Sequence, residues 1–144
     1  MNFRFLAGVA LLFIAFLLQF FLATAGIFMN FFFAALIAFA FLFTFWELVV
    51  LVLMAVFIVN WQPGVSVEIV TFAFYPIAVF FARGLVHMQS WFKNLIAVFI
   101  GLFILYVTLA GRTFLYHPQA FLVDLLGGLL FGSVTFFLLR REGN

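Results

Sequence analysis

Apolar runs of membrane-helix length, separated by brief polar interruptions, divide the chain from its start to its end. The first runs from Phe5 to Ala25, and Gly26 and Asn30 then mark a tight turn. Residues 31–59 stay apolar almost throughout. That is long for one span of about 20 residues and short for two. Within it, Thr44-Phe45-Trp46-Glu47 sets an acid beside a tryptophan, a pairing that suits the membrane interface better than the bilayer centre. The stretch therefore divides into a short second helix over about 30–44 and a short third over about 47–59. Asn60-Trp61-Gln62-Pro63-Gly64 is the clearest loop, a Pro-Gly turn with an interfacial tryptophan. A fourth helix follows over 67–82, and Pro76 is expected to kink it by removing a hydrogen bond. Residues 83–94 read as a polar connection, 95–110 as the fifth helix, 111–119 as a loop and 120–139 as the sixth helix.

These runs are unbroken, whereas the strands of a membrane barrel alternate apolar and polar residues. In hydrocarbon an unpaired backbone amide costs several kcal/mol, so helices are the remaining choice. Composition agrees. Hydrophobic residues make up 70% of the 144 and charged residues 7%, against about 25% charged in a soluble domain. The expectation is an all-α, polytopic transmembrane bundle of about six short helices, forming one domain over 1–144. Arg4, a long apolar run and then Ala23-Thr24-Ala25 resemble a signal peptide. The run exceeds the roughly 7–15 apolar residues of such a segment, and more membrane follows, so it reads as the first span.

Charge then orients the bundle. Six spans with the N-terminus inside place Arg4, Arg83, Lys93, Arg140 and Arg141 on the inner side, and Arg112 alone outside. This is the positive-inside bias. A single helix over 31–59 would split the basic residues less cleanly. The basic balance is thus a matter of topology, and no nucleic-acid partner is expected. With no cysteine, disulfides and thiolate chemistry are excluded.

The groups that could carry chemistry are few: Glu47, Glu68, Asp124, Glu142, His87 and His117. None stands at metal-ligand spacing, and no phosphate loop or nucleophile elbow is present. Neither an enzyme nor a cofactor is expected. Asp124, Gly128 and Gly132 recur every four residues and share one helix face, with Gly128 and Gly132 forming a G-x-x-x-G. That face reads as a helix-packing or interaction surface, within the chain or toward a partner. Ala34 and Ala38 make a second small pair. Asn60, Glu68, Arg112 and His117, with Asp124, form a candidate outer polar cluster, read either as a substrate pocket or as interfacial residues. Glu47 is expected near Arg83 or Arg140 as an ion pair, and His87 at the headgroups. The 27 phenylalanines read as lipid-facing bulk and interhelical filler.

The layout resembles a known family. Six short helices open with a run ending in Leu17-Leu18-Gln19-Phe20, and a short helix led by Asn30-Phe31-Phe32-Phe33 follows. The third helix leads from Phe57 into a turn at Asn60 to Gly64. An aromatic and basic connection runs from Ala82-Arg83-Gly84 to Trp91-Phe92-Lys93-Asn94. The last helix runs from Pro118-Gln119-Ala120 through Gly127-Gly128 to Leu139-Arg140-Arg141. Across nearly the whole chain this resembles the rod shape-determining protein MreD, although Asn60 stands where that family has aspartate. The resemblance implies a non-enzymatic scaffold in the bacterial cytoplasmic membrane. Such a scaffold works with MreC-like membrane partners in cell-shape maintenance and peptidoglycan synthesis. It also implies a fold like the substrate-binding S-components of energy-coupling-factor transporters. A small-molecule-binding transporter subunit is therefore the alternative.

Overall fold

Without water to satisfy them, the backbone amides of so apolar a chain must bond within their own helices. The computed structural model describes residues 2–26, 30–59, 67–110 and 118–142. It contains α1 (Phe3–Thr24), α2 (Phe31–Leu42), α3 (Phe45–Val59), α4 (Val67–Ala82), α5 (Ser90–Ala110) and α6 (Pro118–Glu142). No strand occurs among the described residues. Three helices, α1, α5 and α6, are long and apolar enough to cross a membrane, and α2, α3 and α4 are shorter apolar helices. Large hydrophobic side chains such as Phe13, Leu53, Phe57, Phe74 and Leu130 lie exposed on the outside. Water does not tolerate apolar surface on this scale, whereas lipid does.

The side-chain contacts fix the directions of the helices. Arg4 and Phe5, at the start of α1, meet Phe43 at the end of α2. Gln19, near the end of α1, meets the start of α2 at Phe32. Phe45 of α3 stacks on Phe80 and Phe81 of α4. The Tyr75 hydroxyl donates to the carbonyl of Ala97 across α4 and α5. Asn94 and Leu102 of α5 approach Gly132 and Gly128 of α6 respectively. Each helix therefore runs opposite to the one before it. One end of the bundle gathers Arg4, the Phe43 turn, Arg83, Lys93 and the Arg140-Arg141 end of α6.

α2 is the centre. It contacts all five other helices, and Phe31 through Ala40 are buried without interruption. A helix that is apolar on every side can be enclosed on every side. At 12 residues it is about 18 Å long, well short of the roughly 30 Å of a bilayer core. Nothing requires it to match the bilayer, because the other helices shield it from lipid.

The division of 31–59 is as expected, and one half of a capping box marks it. Thr44 donates to Glu47 Oε2 through its backbone N–H at 3.0 Å and its hydroxyl at 2.9 Å. This closes the first turn of α3 with a side chain three residues inside it. Glu47 is thus a capping residue, and the expected ion pair with Arg83 or Arg140 is not formed. A second correction concerns the connection after α4. It ends at Gln89, whose carbonyl accepts from the N–H of Phe92 and Lys93. Helix α5 therefore begins at Ser90, and Asn94, expected in a polar connection, is buried inside the bundle. His87 is exposed, as expected. The phenylalanines divide as expected: Phe32, Phe33, Phe39 and Phe136 fill the interior, while Phe3, Phe20, Phe21 and Phe57 face outward.

Candidate functional site at the two ends of the buried helix

A buried helix carries orphan N–H groups at its start and orphan carbonyls at its end, and each needs a partner. α2 meets this demand with polar side chains borrowed from its neighbours. At its start, Asp124 of α6 accepts from the Asn30 backbone N–H at 2.7 Å and from Asn30 Nδ2 at 2.6 Å. Tyr106 of α5 adds a side-chain hydrogen bond to Asp124. The Phe32 N–H donates to Gln19 Oε1 of α1 at 3.3 Å. Three helices thus converge on one helix start. Asp124 itself has no exposed surface. A carboxylate offers about four acceptor positions, and these donors occupy most of them.

Basic residues serve the other end. Arg83, just past α4, donates through Nη1 to the carbonyls of Ala40 at 2.9 Å and Phe43 at 3.3 Å. Its guanidinium lies over the Phe80 ring, 4.0 Å from the centroid. Lys93 of α5 donates through Nζ to the Arg83 carbonyl at 2.8 Å, so it serves the end of α4 as Arg83 serves the end of α2. The placement suits the helix dipole, with an acid at the start of α2 and a cation at its end. Each such placement contributes about 0.3–1 kcal/mol at exposed sites and up to about 2 kcal/mol where partly buried.

The expected small-residue face brings α6 close enough for this. A Cβ at Gly128 would lie 2.7 Å from Leu102 Cδ1. One at Gly132 would lie 3.2 Å from Val98 Cγ2 and 3.6 Å from the Ala34 carbonyl. The face of Asp124, Gly128 and Gly132 therefore packs within the chain, against α5 and the Ala34 turn of α2. Of the candidate outer cluster, Asn60, Arg112 and His117 lie outside the described residues, and Glu68 is placed by backbone alone in the first turn of α4. Asp124, grouped with them from the sequence, turns inward to Asn30 and Tyr106.

Sequence reasoning missed Tyr106, Arg83 and Lys93 as capping groups. A general signal was available: a lone polar side chain in a membrane run usually faces the bundle interior and has a partner there. Gln19 and Asp124 both obey it. No group of three or more potential metal ligands occurs among the described residues. What the site does chemically is hold two helix ends. No family model, curated protein or solved structure matches the chain.

Proposed function

We propose that this chain is a non-enzymatic, multi-pass scaffold of the bacterial cytoplasmic membrane, of the MreD type. In this reading both termini are cytoplasmic, and the chain contacts MreC-like membrane partners to coordinate peptidoglycan synthesis and cell shape. One observation carries most weight. The middle of the bundle, where a substrate-binding subunit needs a cavity, is filled by the ten buried residues of α2. A groove lies instead on the outside, between α4 and α5. A solid core with an apolar exterior favours action through contact with other membrane helices. The basic residues gathered at one end favour placing that end in the cytoplasm.

Co-purification tests the reading. Tagged chain, extracted in mild detergent from a rod-shaped bacterium that expresses it, is expected to bring down an MreC-like membrane protein. Recovery of an ATPase module without such a partner would reverse the reading in favour of a transporter subunit.

A further inference from the structure

The groove between α4 and α5 has a volume of about 200 Å³. Its walls are apolar, with Phe41, Val79, Ile96, Ala97 and Ile100 among them, and its charged lining residues are Arg83 and Lys93. No acid lines it. Glu47 is engaged with Thr44 and Asp124 with Asn30 at the far end of α2. Both cations border this groove, and Lys93 Nζ is anchored on the backbone carbonyl of Arg83. Each keeps donors in reserve. The contacts of Arg83 to α2 use Nη1, leaving Nε and Nη2, and Lys93 has two further ammonium protons beyond the one it donates.

Two fixed cations at the head of an apolar trough, at the basic end of a membrane bundle, match an anionic lipid: charge for the headgroup and hydrocarbon for the tail. We propose that this groove binds one anionic phospholipid, with a phosphodiester oxygen on Arg83 and Lys93 and an acyl chain along Val79, Ile96 and Ile100. The site is independent of which proteins assemble with the bundle. It tethers the ends of α4 and α2 to the headgroup layer through a single ligand.

Native mass spectrometry of the full chain released from detergent tests this. The probes are phosphatidylglycerol and phosphatidylcholine with identical acyl chains, and inorganic phosphate. The native chain is expected to retain one phosphatidylglycerol in preference to phosphatidylcholine. Lys93→Gln removes one cation and leaves the α2 cap intact, so it is expected to lower that preference roughly fivefold. Ala97→Phe fills the trough and is expected to abolish retention of either lipid. Should that variant fail to purify, Lys93→Gln decides alone. Equal retention of the two lipids, or an unchanged preference in Lys93→Gln, overturns the site. Displacement of the lipid by equimolar inorganic phosphate overturns it as a lipid site, leaving an anion site.

Discussion

The two ends of α2 solve the same problem in opposite ways. At Asn30 the half-buried helix start closes on a fully buried acid. Its partners Asp124, Tyr106 and Gln19 come from three helices, and Asp124 has no exposed surface. At Phe43 the helix end is held by Arg83, which is half-buried, retains unused donors and borders an open groove. One end is closed by structure alone, while the other leaves charge facing outward. A helix cap in a membrane bundle can thus be purely a fastening or can double as a recognition element, depending on how many of its donors the fold consumes.

This contrast predicts a graded response to substitution. The largest effect is expected at the start of α2. Asp124→Ala leaves the Asn30 amide groups without their buried acceptor, costing about 3 kcal/mol. Unfolding of the purified protein in mixed micelles by increasing SDS measures this. A loss below about 1 kcal/mol would mean that water replaces Asp124 and that the two ends do not differ. Next is Gly128→Leu, which places a branched side chain where even a Cβ meets Leu102. Overpacking of this kind costs about 1–3 kcal/mol. It should also push α6 outward, so hydrogen exchange at the Asn30 amide should quicken. Unchanged exchange with native stability would remove the packing face from the account.

At the open end the effects should be smaller, because headgroup water can replace what is lost. Arg83→Gln is expected to cost about 1–2 kcal/mol through the freed Ala40 and Phe43 carbonyls and the lost cation at the helix end. If it proves as damaging as Asp124→Ala, the distinction between the ends fails. The smallest loss is expected for Glu47→Ala, about 1 kcal/mol for one capping interaction. Hydrogen exchange should show it as faster exchange confined to the first turn of α3. A loss of protection spread over α2 would show instead that the Thr44 turn stabilises both helices.

Much of the fold could be read from the sequence because hydropathy reports directly on what a bilayer accepts. The break near Trp46 and Glu47, the fourth helix over 67–82 and the Asp124–Gly128–Gly132 face all followed from it. Which helix lies inside did not. α1 and α2 are both almost wholly apolar, yet α2 is enclosed and α1 lies against lipid with only Gly8, Leu12 and Ala15 buried. In lipid, apolar character no longer separates interior from exterior. The partners of the polar residues were equally hidden. Asn30 and Asp124 are 94 positions apart, and only the packed bundle brings them together. Glu47 was misassigned because a three-residue capping contact and a long-range ion pair both suit an interfacial acid.

The same separation gives the clamp a date in the life of the chain. α2 emerges well before α6, which carries the residue that closes its start. At about 5–20 residues per second, Asn30 waits roughly 5 to 20 seconds for Asp124. Throughout that interval the central helix lacks both its acid cap and its neighbour α6. A ribosome-stalled chain ending before Pro118 should therefore be clipped by a membrane protease within the α2–α3 hairpin, and release of the full chain should confer resistance. Arrival of α6 is thus expected to be the event that locks α2 in place.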